Sequence, residues 1–330
     1  MGRGNTRPNM AEVRQMIDLQ SIGAELMIYG EIDDPAMRYF NPSLAFHNGE
    51  LKIAIRSCNF AVVPKGKWYL RDGSAYSKTD VIYGDIDPDT LQVTNLQKLK
   101  LSKNSPIQAL TAGLEDVRLF SRKDGMHAVG FESDRLTRSL HDASAKMAEY
   151  LIKGNELKYI RTLEKPSDKI VEKNWSPADK PSKDFDFTYS PTQVWKDGKV
   201  TGLPYTEGIH GGSQLLKQPD GSYLSIVHEK LLEKPQIRQL RPTGLIYDKF
   251  LYVHYLAKHN SNGMVVDISK PFRFGTLENI EFASGMVEYS YPSSKSDAFY
   301  EDYFLISFGI RDCKYAICRI NKAKLMGLFD

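Results

Sequence analysis

The run Glu115-Asp116-Val117-Arg118 sets two adjacent carboxyl groups beside a guanidinium. Such a group either forms a structural ion-pair cluster, with Arg118 or with Arg56, or presents a proton-carrying carboxyl next to fixed positive charge. Other polar residues recur at strand beginnings in a fixed order: Asn41-Pro42 then Arg56; Glu172-Lys173-Asn174-Trp175; His210-Gly211-Gly212-Ser213 then His228; Tyr255; Ser284-Gly285; and Gly309 then Asp312. Arg56, Arg118, Lys173 and His228 together suit an anion such as phosphate or the diphosphate of a nucleotide, because guanidinium forks meet several charged oxygens at once. Taken singly, each is a solvated strand end. Trp175, Tyr189, Trp195 and Tyr255 offer either a stacking wall for a ring or plain packing between sheets. Glu229, Glu281 and Glu301 are further carboxylates, none of them in so dense a group as Asp116.

These side chains need a scaffold that returns the chain to one place many times. Turn signals at Asn48-Gly49, Asp124-Gly125, Asp197-Gly198, Asp220-Gly221 and Asn262-Gly263 separate short β-branched and aromatic runs. Each supplies the positive-φ residues of a tight hairpin. Leu51–Arg56, Met126–Phe131, Tyr223–His228 and Tyr303–Phe308 alternate as strands do. Between Asp142 and Leu163 two patterns compete: Leu136, Leu140, Ala143 and Met147 suit a helix and the Lys153-Gly154-Asn155 turn a hairpin, with strand favoured from Ala145 onward. Strand pairs begin near Asn41, Leu114, Asp184, Gly211 and Ser284. Five hairpin-centred units point to radial repetition, the way an all-β chain of this size avoids long exposed edges.

The expected fold is therefore all-β, a five-bladed β-propeller over residues 39–330 preceded by an N-terminal extension over residues 1–38. A pair of β-sandwiches is the alternative. The extension is read as helical from Met10 to Ile17 and as closing the ring or covering a face. Lys165–Lys183, with Pro166, Pro177 and Pro181 among charges, reads as a long surface connection between blades.

Composition sets the outer limits. With 330 residues, 44 Lys+Arg against 41 Asp+Glu, 26% charged and 41% apolar residues, the chain is globular rather than disordered or fibrous. Tyr and Phe are plentiful, at 18 and 15, which suits both strands and ring-binding walls. Cys58, Cys313 and Cys318 are an odd set without metal spacing, so free thiols in a reducing, cytoplasmic compartment are expected. No stretch reaches the length of a membrane helix. No Gly-rich phosphate loop opens a helix and no His/Cys cluster has zinc spacing, so no cofactor or metal is expected. The basic run Lys98–Lys103 is either a solvated loop or a weak nucleic-acid contact.

The ordered motifs resemble those of the β-mannoside phosphorylase family, five-bladed propellers that include phosphorylases, some hydrolases and β-mannosyltransferases. The likeness runs from about Phe40 to Leu325. Asn41-Pro42 and Arg56 match its first motif, and Glu115-Asp116-Val117-Arg118 is similar to its Glu-Asp-Pro-Arg. Lys173-Asn174 is similar to its Lys-Asp, Ile226-Val227-His228 to a strand ending Tyr-His, and Val265–Pro271 to its Leu-Asp-Leu-x-x-Pro. Ala283-Ser284-Gly285 and Phe308–Asp312 approximate its Pro-Cys-Gly and Tyr-Gly-Ala-Ala-Asp. Val117 in place of proline, and Gly211-Gly212-Ser213 in place of a Gly- and Pro-rich phosphate-side loop, depart from the pattern.

The resemblance implies a carbohydrate-active enzyme. Asp116 would be the general acid, because making or breaking a glycosidic bond requires a proton at the bridging oxygen. Asn41, Arg56, Glu115, Asp312 and Tyr255 would surround the sugar, and Arg118, Lys173 and His228 a phosphate. The expected reaction is inverting transfer between a phosphate-activated or nucleotide-activated sugar and an acceptor hydroxyl on a glycan or other molecule. Phosphorolysis or hydrolysis is the first alternative. A non-catalytic glycan- or partner-binding propeller is the second, and nucleic acid as the acceptor is weaker still.

Overall fold

The computed structural model describes residues 16–29, 36–63, 67–72, 78–102, 104, 113–133, 145–164, 174–190, 193–202, 208–232, 250–276, 278, 280–292 and 300–329. These residues are almost all strand, in a propeller-like arrangement of antiparallel sheets. The turns expected at Asn48-Gly49, Asp124-Gly125, Asp197-Gly198, Asp220-Gly221 and Asn262-Gly263 are all present, and the strands expected beside them run as read. Asn48 and Gly49 adopt φ of 51° and 83°, and Asp197 and Gly198 adopt 48° and 79°, as a tight hairpin demands.

Among the described residues, five larger sheets follow one another along the chain, beside a two-stranded one of Phe60–Val63 and Lys67–Leu70. The first joins Arg38–His47, Glu50–Cys58, Thr79–Ile86 and Val93–Lys98. The second joins Gly113–Arg122, Gly125–Ser133, Ala145–Lys153 and Glu156–Leu163, with Lys100–Leu101 parallel to its outer edge. The third holds four short strands from Ser176–Pro177 to Lys199–Gly202. Tyr223–Leu232 and Phe250–His259 form the middle of the fourth, which begins at Ile209–Gly211. Glu281–Pro292, Tyr300–Ile310 and Lys314–Asn321 make the fifth, and Glu25–Tyr29 from near the N-terminus adds its outer strand.

Two expectations need correction. Ile17–Asp18 is a strand, parallel to Phe272–Arg273 of the fourth sheet, and not the end of a helix. Asp18 then starts a short 3-10 turn, Leu19–Ile22, by accepting from Gln20 N at 2.9 Å, and Gly23 at φ 91° ends it. The rest of the expected helix, Met10–Gln15, lies outside the described residues. The segment read as a surface connection already contains Ser176–Pro177, the first strand of the third sheet. Pro177 fits there because the strand is two residues long and only its carbonyl is used, accepting from Leu215 N at 2.8 Å. The short helix Lys322–Met326, capped by the Asn321 side chain, was not expected.

Each core cluster lies between two neighbouring sheets. Leu114, Leu119 and Ala128 of the second sheet pack on Ala45, Ala54 and Val81 of the first. Phe120, Val129 and Met147 pack on Trp175, Phe187 and Trp195 of the third. Phe185 and Val194 meet Leu215 and Tyr223 of the fourth, and Ile226, Leu256 and Phe272 meet Met286, Phe304 and Ile306 of the fifth. Val287, Leu305 and Ile317 then return to Leu44, Ile53 and Ile55 of the first. Each of the five larger sheets thus contributes to two clusters, at roughly 1.5–3 kcal/mol per fully buried large side chain.

Polar contacts supplement the apolar ones between the second and third sheets. His127 bridges Glu149 at 2.9 Å and Asp124 at 3.0 Å. Glu149 also accepts from Arg161, whose guanidinium reaches Asp186 at 3.6 Å. Burial opposes the His127 charge, but Glu149 and Asp124 outweigh it and raise its pKa. A raised histidine pKa contributes stability that is fully present below the unfolded value, about 6.5, and is lost as pH rises through the folded value. We predict that urea denaturation gives a larger gap between wild type and His127→Gln at pH 6 than at pH 9, by about 1 kcal/mol. An equal gap at both pH values would contradict the ion-paired state of His127.

Candidate active site

Asn41 and Asp116 occupy matching irregularities in the first strands of the first two sheets. The pairing of Arg38–His47 with Glu50–Cys58 shifts between Phe40 and Ser43, and that of Gly113–Arg122 with Gly125–Ser133 shifts between Glu115 and Arg118. A bulge of this kind leaves a residue out of the ladder and re-aims its side chain. Asn41 and Asp116 adopt φ of 48° and 49°, the left-handed region that Asn and Asp tolerate best after glycine.

The two bulges bring their side chains together. Asn41 Nδ2 donates to Asp116 Oδ1 at 2.8 Å. Arg56 Nη1 donates to the same oxygen at 2.9 Å, while its Nη2 lies 2.9 Å from Glu115 Oε2. The Arg56 guanidinium also stands over the Phe40 ring, 5.0 Å from its centroid. Gly309 makes room for this arrangement, because a Cβ at that position would overlap Asn41 Oδ1. Arg118 folds back so that Nη1 donates to the Asp116 carbonyl and Nε to the Gly212 carbonyl. Its guanidinium lies 5.4 Å from the Phe282 ring centroid.

All four charged groups are buried, Arg118 and Glu115 at 1% and 2% exposure and Arg56 and Asp116 at 7% and 8%. Asp116 and Arg56 are therefore the members nearest to solvent. Burial opposes the Arg56 charge, but Glu115 and Asp116 outweigh it and hold its pKa above the ordinary arginine value. Burial lowers the Arg118 pKa to about 10, with Asp116 acting against the shift, so the guanidinium stays charged at neutral pH. Arg118 Nη2 is buried and has no hydrogen-bond partner among the described residues. An unmade buried donor costs about 1–3 kcal/mol.

His228 joins from the fourth sheet. Its ring lies 5.0 Å from Phe282, 5.4 Å from Tyr252 in a stacked contact, and 5.5 Å from His210. The Tyr252 pKa rises to about 12, first through burial and then through the carboxylates of Asp312 and Asp116. Asp312, in the turn at Arg311–Cys313, thus shares a field with Asp116, and it acts on Arg56 as well.

Of the residues expected at a site, the structure gathers Asn41, Arg56, Glu115, Asp116, Arg118, His228 and Asp312. It does not gather Tyr255. That residue pairs with Val227, one position out of phase with His228, so it faces the opposite side of the sheet and its hydroxyl donates to Glu229 Oε2 at 3.0 Å. Lys173 lies outside the described residues, as does the Tyr189 side chain. Trp175 and Trp195 are core, with ring centroids 5.9 Å apart beside Phe187. Glu281 is fully buried and accepts from Phe274 N and Thr276 N, and Glu301 accepts from Tyr303. Lys98 ends the strand Val93–Lys98 and is paired with Asp80 at 2.6 Å, and Lys100–Leu101 is a strand at the edge of the second sheet, so the basic run read as a solvated loop is largely strand; Lys103 lies outside the described residues.

Two neighbours escaped the sequence reading, Phe282 and Tyr252. Phe282 carries no motif. Tyr252 shares the strand parity of His254, but placing both beside His228 requires the register across residues 233–249, which no sequence pattern supplies.

No family model matches the chain, and no curated protein matches it by sequence. Solved structures do. The chain is similar to the β-1,2-mannobiose phosphorylase of Listeria innocua, with a TM-score of 0.53 at 13% identity over 92% of this chain and 99% of that one. A mannose phosphorylase of Leishmania mexicana aligns with a TM-score of 0.56 at 13% identity, covering 95% of this chain and 91% of that one. A GDP-Man-dependent mannosyltransferase of the same organism aligns at 0.53 and 14%, covering 94% and 92%. The fold is thus that of the mannoside phosphorylase and mannosyltransferase propellers, in agreement with the resemblance in the motifs.

Removing Arg56 would strand two buried carboxylates. We predict that Arg56→Ala lowers stability by about 3–5 kcal/mol in urea denaturation, with Arg56→Lys intermediate because an ammonium lacks the two-pronged fork. Loss of less than about 1 kcal/mol in Arg56→Ala would contradict the buried bridge.

Proposed function

We propose that this chain is a carbohydrate-active enzyme that moves a glycosyl group, with inversion, between a phosphate-activated sugar and an acceptor hydroxyl at the site around Asp116. One observation carries the reading: a buried carboxylate, held by Asn41 and Arg56, stands beside the buried guanidinium of Arg118, whose Nη2 has no partner among the described residues. The similar folds of two phosphorylases and a mannosyltransferase support a β-mannoside chemistry. The five sheets, with core clusters between each successive pair and between the last and the first, support a five-bladed ring over residues 39–330 with residues 1–38 as its closing segment. The free cysteines, of which Cys58 and Cys318 are buried, support a reducing, cytoplasmic setting.

In the transfer direction the acceptor oxygen attacks the anomeric carbon while the bond from that carbon to the phosphate oxygen breaks. Phosphate leaves with the electron pair, its charge met by Arg118 and by His228 and Lys173 as further ligands. Asp116, as the carboxylate favoured by its two N–H donors, takes the acceptor proton directly or through a sugar hydroxyl. The reverse step is phosphorolysis, with phosphate attacking and Asp116 returning the proton as general acid. Asn41 and Asp312 are proposed to bind sugar hydroxyls.

A hydrolytic reading has one observation in its favour, the shared field of Asp312 and Asp116 at Tyr252, since an inverting hydrolase needs a second carboxylate to activate water. Activity assays with mannose 1-phosphate and with β-mannosides plus phosphate distinguish the readings. Asp116→Asn is predicted to lose about 10²–10⁴-fold in kcat, with ligand-induced thermal stabilisation retained. Unchanged turnover in that variant would remove Asp116 from the chemistry. Product formed from a β-mannoside in the absence of phosphate, and lost in Asp312→Asn, would favour hydrolysis.

A further inference from the structure

The bulge that carries Asn41 is held from the fifth sheet. The Pro42 carbonyl accepts two hydroxyls, Ser284 Oγ and Ser307 Oγ, each at 2.6 Å. Both serines are fully buried. Ser284 is itself the residue at a register shift, between Ala283 and Gly285, so two bulges face each other across neighbouring sheets. Gly285 leaves the space that this contact requires, because a Cβ there would come within 2.6 Å of Ser307 Oγ.

A bulge takes its residues out of the strand ladder, so the Pro42 carbonyl depends on other donors. Two hydroxyls fill both of its lone pairs, and Pro42 has no N–H through which the segment could pair otherwise. The next residues are tied as well: Ser43 Oγ accepts from Leu119 N at 2.9 Å, and the Leu44 carbonyl accepts from Gln214 Nε2 at 2.6 Å. The Pro42–Ser43 peptide, one residue beyond Asn41, is therefore fixed by side chains of the fifth sheet. The Asn41 amide, one residue away, donates to the Asp116 carboxylate.

We propose that Ser284 and Ser307 are positioning residues for Asp116, acting through Pro42 and Asn41 to keep the Asn41 amide aimed at Asp116 Oδ1. The proposal rests on the reading of Asp116 as the proton-carrying group, but the coupling itself is measurable without any substrate. The measurement is a ¹³C carboxyl NMR titration, with the Asp116 signal assigned by its loss in Asp116→Asn. Asn41→Ala serves as the reference for a carboxylate that has lost this donor.

Losing one donor disfavours the carboxylate, so Asn41→Ala is expected to raise the Asp116 midpoint by about 0.5–1 pH unit. Ser284→Ala and Ser307→Ala are expected to shift it in the same direction by a smaller amount, and the double serine variant to approach the Asn41→Ala value. Adding Asn41→Ala to the double variant is expected to give no further shift, because one path is already broken. A purely structural role predicts lower melting temperatures with the Asp116 midpoint unmoved, and that result would overturn the proposal. Each single variant deletes only one of two hydroxyls, so the test survives if the double variant does not fold. If the midpoint moves while glycosyl transfer proceeds unaltered in Asp116→Asn, the positioning role stands and the functional reading falls.

Discussion

Arg56 is the charge on which the rest of the site depends. It reaches from the first sheet to both carboxylates of the second, in a place where water is nearly excluded. Two carboxylates in such a place repel each other and lose hydration, and neither term is offset without a cation between them. A guanidinium suits the task because its planar fork addresses two oxygens from different residues at once. The arrangement fixes the relative position of the two sheets at their bulges, and it leaves Arg118 to serve something other than Asp116's carboxylate.

The bulges explain how a chain of ordinary strands makes such a site. Slipping the register at both positions turns the side chains of Asn41 and Asp116 toward each other. The residues that tolerate the turn are also the residues with the needed chemistry, since Asn and Asp accept positive φ and carry an amide and a carboxylate. The fifth sheet contributes small residues at the same level, Gly285 and Gly309, whose missing side chains are filled by Ser307 and Asn41.

Much of this was legible in the residues. The hairpin turns carry Asn-Gly and Asp-Gly signals, and the strands beside them alternate, so the all-β framework follows from local chemistry. The ordered motifs mark Asn41, Arg56, Glu115, Asp116, Arg118, His228 and Asp312. What local patterns do not encode is which face a residue takes when the register depends on a long connection. Tyr255 illustrates this: one step of strand parity sends it to Glu229, and Tyr252 stands beside His228 instead. Trp175 and Trp195 show the second limit. An aromatic residue next to a polar motif reads equally well as a ligand wall or as packing, and here the gap between the second and third sheets needed large rings to fill it. Pro177 shows a third, because a proline suggests a connection until the strand proves to use only its carbonyl.

The account holds that the unpartnered face of Arg118 is where a phosphate-bearing ligand meets the protein, next to Asp116. A crystal structure of the unmodified chain with saturating inorganic phosphate tests this most directly. The predicted result is a phosphate oxygen about 2.7–2.9 Å from Arg118 Nη2, with the bonds from Asn41 and Arg56 to Asp116 intact. Phosphate bound elsewhere, with Arg118 Nη2 satisfied by a protein group, would contradict it.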